Sequence, residues 1–556
     1  MIVTDFELVT QPVKQTSMKI QLLDDAYNVV EQMSGKLISL GMTVSADSAI
    51  RRVVNASMTI DDPRAMKTSY FGAWMNKMVR VQYGIEDRSV GETRWFLLGS
   101  FLFTESGYQI DLENSTVSIN LADMMSAATQ ERGSQIGTDM EYVAGSNMGG
   151  ALAATVARFS RYKRYDIVEF EDVVPYDVEV PRGSYPYEAM DKLVSLYPWY
   201  EQFYSTDGVY TVRKIPTAMD EPAVMTAEQM RKIVISENSR VNYGEVKNVT
   251  EIWGKEIDPG YTAKSCTLTN GAYTLTIHDT YEKYEDGSLI AFKPDKSNAG
   301  ACKLRVQNLD AYPIYTQAGD GTLSEMEADF FIPGRSYVVK YADEKFILQG
   351  EEIIHAMCME YTKRPSNAKI QELKAFNDCE NIMIIVNPSS IFACDVIGEA
   401  RQVLYDGDYT NIDTTQLAYE RAAYENWKST RIIETLTLET LFVPWLDVNQ
   451  KVMYTLIATG ETAQYVIQEI SVNPISGTMT LTMVRFRPLY PWLGVDDDWL
   501  TITDDGNGNV TMSSKYAEAF YVVGDENGDV NVTFYLPISI EDDGNGDVTL
   551  KPSGYK

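Results

Sequence analysis

Between Trp445 and Trp492 the chain reads WLDVNQKVMYTLIATGETAQYVIQEISVNPISGTMTLTMVRFRPLYPW, and its last apolar residues recur at every second position. Met479, Leu481 and Met483 alternate with Thr478, Thr480 and Thr482. A strand with one buried face satisfies that period, because successive side chains of a strand point to opposite sides. Thr459-Gly460-Glu461 and the run from Asn473-Pro474 to Ser476-Gly477 supply the glycine and proline that hairpin turns require. Three antiparallel strands are therefore predicted. Upstream, RIIETLTLETLFVPW predicts a strand alternating around Leu436 and Leu438, preceded by a helix whose start is marked by Asp413 and Gln416 at capping-box-like spacing.

The N-terminal part, residues 1–140, also reads as mainly β, with SAIRRVVNASMTIDD, MVRVQYGIEDRSVGETRWFLLGSFLFTESGYQID and STVSINLAD as its strand segments. Gly84 ends one strand, Gly91 punctuates the turn, and Gly99 inside the next strand predicts a bulge or a close backbone approach. From 141 to 230 the pattern is α+β. GGALAATVARFSRYKRY and YPYEAMDKLVSLYP read as helices, the second with Met190, Leu193, Val194 and Tyr197 on one face. WYEQFYSTDGVYTVRKIP reads as a hairpin turning at Asp207-Gly208. Residues 255–375 form another β-rich stretch with loops at Asp286-Gly287 and Asp320-Gly321, and they carry no legible chemistry.

The order helix, strand, WLDVN and a closing GTMTLTMVRFRP resembles the C-terminal ring domain of bacteriophage tail hub and baseplate hub proteins. A strand ending in Tyr83-Gly84 that returns through Leu98, Gly99 and Phe101 is similar to their first ring domain. The resemblance spans about residues 1–494. It implies a mainly β multidomain chain with two tail-tube-like barrel or sandwich domains: ring 1 at 1–140, returning at about 231–254, and ring 2 at 376–494, entered by NIMIIVNPSS. The α+β insertion at 141–230 and the β-rich accessory domain at 255–375 lie between them, and 495–556 follows as a hairpin appendage. The implied function is structural: a homotrimeric, pseudo-hexameric collar at the virion tail tip, taking part in host-cell attachment and genome ejection. Such a collar joins the sixfold tail tube and distal tail ring to a threefold fibre or spike, because a duplicated domain in a trimer converts one symmetry to the other. Expected partners are the distal tail protein, the tape-measure protein and a fibre or receptor-binding protein, with assembly in the bacterial host cytoplasm and DNA passing the channel without specific binding. The rival readings are a receptor- or glycan-binding tail-tip protein, using residues 495–556 with Trp499 and the tyrosines, and a cell-wall-degrading tail enzyme.

Charge and composition bear on these classes. A net charge of -31 argues against phosphate-directed nucleic-acid binding and against an anionic membrane surface. An acidic wall does suit a channel from which DNA must be repelled. The 35 tyrosines fit either flat subunit interfaces or ordinary strand usage. MIVTDFELVTQPV has no basic segment ahead of its apolar residues, so no signal peptide is expected, and no apolar run has the length of a membrane span. Export would follow lysis.

No catalytic, cofactor-binding or metal residue is assigned, and the chain is expected not to be an enzyme. The histidines are His278 and His355, neither in an HExxH or GxSxG context. His355 lies near Cys358, where a weak metal or thiol site competes with plain packing in an amphipathic segment. Cys266, Cys302, Cys358, Cys379 and Cys394 lack CxxC spacing and read as buried thiols of a reducing compartment. Walker-type and GxGxxG loops are absent, and 79 acidic residues make any chosen carboxylate pair uninformative.

Two features remain. Arg158, Arg161, Lys163 and Arg164, interleaved with Tyr162 and Tyr165, read as a helix-capping patch or one that docks neighbouring subunits of an acidic homo-oligomer, in preference to a nucleic-acid surface. Near the C-terminus, Asp-Asp-Gly-Asn-Gly-type segments recur around Asn507, Asn527 and Asn545, each flanked by β-formers. They read as three hairpin turns. A calcium loop is the alternative, but they lack the sixth-position glycine and the bidentate glutamate of a Ca²⁺ loop.

Overall fold

A computed structural model describes residues 4–32, 37–59, 77–111, 113–170, 172–218, 221–242, 246–277, 281–317, 322–379, 381–387, 390–430 and 433–487, together with strand segments between 500 and 552. The chain is mainly β and divides into two compact units, Met1–Tyr243 with Ile433–Pro488, and Gly244–Ile432 with Leu489–Lys556.

In the first unit the described residues build one sheet of 12 strands. Its order runs Val234–Asn242, Ile433–Leu441, Thr478–Arg485, Thr462–Asn473, Leu37–Ser45, Arg52–Thr59, Thr116–Asp123, Glu92–Asp111, Met78–Asp87, Thr16–Leu23 and Val29–Gln32; Lys451–Thr455 pairs with Thr462–Asn473 off this path. The N-terminal and C-terminal strand sets are thus joined edge to edge, where Met42–Ser45 lie antiparallel to Glu469–Val472. A continuous core runs beneath the join: Met42, Val44, Val54 and Leu121 from one set are buried with Leu436, Leu438, Met479, Leu481 and Met483 from the other. The period-2 pattern sets this, since a one-residue slip would turn Met479, Leu481 and Met483 to solvent. Each set is accompanied by a short helix closed by a capping box, Asp5–Val9 through Thr4 and Glu7, and Ala227–Ile233 through Thr226 and Gln229.

Gly91 takes φ 71° in the turn and Gly99 sits at a bulge as predicted, but Gly84 does not end its strand, which runs on to Asp87 because Ile85, Glu86 and Asp87 stay paired with Arg94, Thr93 and Glu92. The register slips between Val81 and Gln82, leaving Leu98 unopposed in a bulge beside Gly99. A Cβ on Gly99 would lie 2.5 Å from the Phe101 ring, and one on Gly84 would lie 2.9 Å from the ring of Trp95.

The α+β segment belongs to this unit. Met148–Phe159 and Pro186–Val194 are helices, and Tyr200–Tyr204 pairs with Tyr210–Lys214 through a turn at Gly208, whose φ is 76°. Met190, Leu193 and Val194 are buried as a single helix face requires.

The second unit groups residues differently from the expected boundaries. Val234–Asn242 does return to the ring sheet, but Val249–Glu256 joins a four-stranded sheet with Ile353–Tyr361, Arg401–Leu404 and Ile382–Val386. The expected entry strand of ring 2 is therefore the edge of a different sheet, held parallel to Ile353–Tyr361. Its run of isoleucines fits, because strands with parallel neighbours are covered on both faces and lose alternation. Helix Thr415–Ser429 packs on this sheet, and its N-cap is Thr414, whose hydroxyl accepts from the Leu417 amide. The cap thus falls one residue beyond Asp413, at the position from which a side chain reaches the N3 amide. Between these strands, residues 261–351 form a nine-stranded β domain cored by Tyr273, Phe292, Phe331, Tyr337 and Phe346.

Beyond Leu500 the strands pair as three separate two-stranded hairpins, Leu500–Asp504 with Val510–Ser514, Phe520–Gly524 with Val530–Phe534, and Ile538–Asp542 with Val548–Pro552. The turn centres Asn507, Asn527 and Asn545 lie outside the described residues, as do His278 and Asp320-Gly321.

Candidate functional site

The WLDVN segment forms a junction within the first unit. It leaves Ile433–Leu441 by a bend in which Leu446 N–H meets the Val443 carbonyl, and it is pinned by the Asp447 carboxylate accepting from Val448 N–H at 2.9 Å. Asn449 takes φ 57°, a left-handed conformation that asparagine tolerates, and donates its backbone N–H to Ile467. The bend presents two aromatic side chains to the N-terminal strand set: Phe442 packs edge-on to Tyr83 at 4.8 Å and Trp445 lies 5.8 Å from Phe96.

Its polar residues meet a buried charge cluster. Arg52, the first residue of Arg52–Thr59, and Arg51 just before it are each 3% exposed. Arg52 pairs with Asp447, donates to the Tyr204 carbonyl at 2.8 Å, and gives its backbone N–H to Asp123. Arg51 pairs with Glu201, which also accepts from Arg213 Nε at 2.7 Å and Asn449 Nδ2 at 2.7 Å. Phe203 lies among the guanidiniums, its ring centre 3.8 Å from Arg51 and 4.8 Å from Arg213. Three cations therefore face Glu201, Asp447 and Asp123, so the interior is close to neutral. Desolvation lowers the pKa of Arg51 and raises that of Asp123 to about 6, the latter opposed by the amides of Arg52 and Met125 and by both arginine charges. A buried network of this kind fixes geometry more than it adds stability. Here it sets the inserted domain against both strand sets. The signal in the sequence is the pair of consecutive arginines where an alternating strand begins, since successive strand residues face opposite sides and both cannot point to solvent from it.

The basic patch is a docking surface within the chain. Arg161 pairs with Asp25 at 3.1 Å, Arg164 lies 4.5 Å over the Tyr27 ring, and Tyr27 donates to the Gly208 carbonyl at 2.8 Å. These contacts hold the insertion to the turn between Thr16–Leu23 and Val29–Gln32.

In the second unit His355 turns to Glu251. Its Nε2 is 2.9 Å from Glu251 Oε1, which also accepts from Trp253 Nε1 at 3.0 Å, while Arg401 reaches Oε2 at 2.9 Å. The imidazole stacks on Trp253 at 3.8 Å. Cys358 is fully buried, on the face of its strand opposite to His355, and its thiol is pushed well up by burial. The two do not form a site because three residues along a strand reverse the side. Among the described residues no group of three or more His, Cys, Asp or Glu is placed to hold a metal ion, and no helix is long and apolar enough to cross a membrane.

Residues 389–490 match a family model described as a domain of unknown function, DUF5048. No curated protein matches the sequence. Structural neighbours are phage tail and baseplate proteins, at low identity. A tail protein from Neisseria meningitidis MC58 is 8% identical with a TM-score of 0.44, covering 85% of this chain and 98% of its own. The 43 kDa tail protein of prophage MuSo2 from Shewanella oneidensis is 10% identical with a TM-score of 0.43, covering 85% and 99%. Prophage tail protein gp18 from Listeria monocytogenes EGD-e is 7% identical with a TM-score of 0.40, covering 84% and 95%.

Proposed function

We propose that this chain is the structural hub of a long-tailed phage tail tip, acting as a trimer without catalysis. The observation that carries the reading is the edge-to-edge union of two strand sets in one sheet, sealed at Met42–Ser45 and Glu469–Val472, with Val29–Gln32 and Val234–Asn242 left at its two ends. An end strand offers unpaired backbone groups, and pairing with another copy satisfies them. Three copies then supply six strand sets, which meet a sixfold tube on one side and a threefold fibre on the other. The distal tail ring, the tape-measure protein and a fibre or receptor-binding protein are the neighbours this role requires, and the site of action is the virion tail. Three chains carry three times a formal charge of -31, which suits a lumen that DNA must cross without adhering.

Light scattering and electron microscopy of the purified protein test the role. A trimer mass with threefold rings supports it, and a concentration-independent monomer without threefold density at the tail tip refutes it. Zymography on peptidoglycan tests the absence of catalysis: a lysis band abolished by one carboxylate substitution would transfer the protein to the cell-wall hydrolases.

A further inference from the structure

The two strand sets of the first unit repeat one topology. In each, the sheet takes the strands in the order first, second, fifth, fourth, third along the chain: Leu37–Ser45, Arg52–Thr59, Thr116–Asp123, Glu92–Asp111 and Met78–Asp87 in one set, Val234–Asn242, Ile433–Leu441, Thr478–Arg485, Thr462–Asn473 and Lys451–Thr455 in the other. The registers agree residue by residue. The long hairpins close at Asp111 opposite Thr116 and at Asn473 opposite Thr478, so Val117, Ile119 and Leu121 correspond to Met479, Leu481 and Met483, and all of these are buried. Both long strands slip register at the same point, between Phe103 and Tyr108 and between Ile467 and Glu469, just past the partners of Leu121 and Met483. Both first strands carry an unopposed, exposed isoleucine, Ile38 between Leu37 and Ser39 and Ile235 between Val234 and Ser236. Bulges are placed features of a fold, so shared bulges with shared alternation mark the two sets as one module used twice.

The join within the chain has an unfilled equivalent. Lys451–Thr455 pairs with Thr462–Asn473 only as far as Val466, and the side it vacates is taken up at 469–472 by 42–45, from the first strand of the other set. Met78–Asp87 likewise leaves Glu92–Asp111 after Leu102. Among the described residues no strand takes up that side at 108–110, and Val234–Asn242, the first strand of the second set, has no neighbour on the side away from Ile433–Leu441.

We propose that Val234–Asn242 of one copy of this chain adds antiparallel to the open side of Glu92–Asp111 in a second copy, continuing the sheet from chain to chain by the same join that unites the two sets within one. The inference rests on the trimeric reading above and names its interface. Met42, Thr43 and Val44 oppose Val472, Ser471 and Ile470 within the chain, so the shared registers set Ser239, Arg240 and Val241 opposite Ile110, Gln109 and Tyr108 of the neighbouring copy. An open edge leaves N–H and C=O groups without strand partners, and this join pairs them. The two edges differ, so the contact is head-to-tail and can close into a ring, whereas an edge pairing with itself gives a twofold dimer. Three copies then alternate the two sets around one closed sheet.

Paired cysteines in the full-length chain test this. Arg240→Cys with Gln109→Cys puts thiols at two exposed positions directly opposed across the join, a Cα spacing that suits a disulfide. Arg240→Cys with Val30→Cys is the comparison, since Val30 lies exposed on Val29–Gln32, the strand at the other end of the sheet. Under mild oxidation the first protein should give covalent dimers and trimers on a non-reducing gel, in several-fold excess over the second and over each single variant. Equal or greater crosslinking with Val30→Cys, or from Arg240→Cys alone, overturns the join, as does the absence of any species above the monomer. Light scattering before oxidation separates this inference from the reading it rests on. A trimer lacking the crosslink removes the join alone, whereas a concentration-independent monomer removes the hub as well.

Discussion

Asn449 and Glu201, 248 residues apart in sequence, are joined by a 2.7 Å hydrogen bond from the asparagine amide to the carboxylate. The same carboxylate oxygen pairs with Arg51, and its other oxygen accepts from Arg213. One side chain is thereby the meeting point of the N-terminal strand set, the inserted domain and the WLDVN bend. A directional buried network resists their sliding in a way that apolar contact alone does not.

Removing Glu201 should be costly. Glu201→Ala leaves Arg51 buried and without its counter-charge, a lesion that typically costs about 3–5 kcal/mol. Glu201→Gln retains an acceptor for Asn449 and the arginines and should lose less. Urea unfolding measures both, with the midpoint ordered wild type, Glu201→Gln, Glu201→Ala. An unchanged midpoint for Glu201→Ala would deny the network its structural role.

Two strand glycines should differ sharply. A methyl on Gly99 would enter the Phe101 ring at 2.5 Å, whereas one on Gly41 meets nothing within 4 Å. Gly99→Ala should therefore destabilise by roughly 1–3 kcal/mol through overpacking. Gly41→Ala, in an ordinary strand position, should be neutral or mildly stabilising because alanine loses less backbone entropy than glycine. Thermal midpoints of the two variants provide the comparison.

Alternation made the ring strands legible: the burial of Leu436, Leu438, Met479, Leu481 and Met483 follows from period alone. Which strands share a sheet was less legible. Ile382–Val386 lost its alternation by being covered on both faces, and nothing local distinguishes an edge of the four-stranded sheet from a ring strand. The charge junction was hidden for a related reason, since its partners Arg51, Glu201, Asp447 and Asn449 come from segments that only tertiary structure brings together. Several tyrosines that could have served subunit interfaces are core in the 261–351 domain, where Tyr284 stacks on Tyr341 at 4.7 Å.

The thiols should be silent in the folded protein. Cys302, Cys358, Cys379 and Cys394 are buried and Cys266 is half-buried, with burial pushing the thiols of Cys266 and Cys302 up to about 12. Thiolate is the reactive form, so labelling with an aromatic disulfide at pH 8 should be slow for all five and slowest for the buried four. Denaturation should release five equivalents without reductant, because all five are free. Fewer than five would reveal a disulfide.

Asp123 should give the junction a pH dependence of definite sign. It is buried, and desolvation raises its pKa to about 6 against the pull of the Arg52 and Met125 amides and the two arginines. The unfolded carboxyl titrates near the ordinary value of about 3.9. Between these values the folded chain holds a proton that the unfolded chain has released, so stability falls as pH rises through that window. The contribution is complete below about pH 4 and lost above about pH 6, amounting to roughly 3 kcal/mol at 1.36 kcal/mol per unit. An Asp123→Asn variant cannot ionise and should lack that slope. The measurement is the difference in unfolding midpoint between wild type and D123N at several pH values from 4 to 7. It should shift steadily in favour of the variant as pH rises to about 6 and level off beyond; a difference independent of pH would mean that Asp123 stays ionised throughout, held by Arg51 and Arg52.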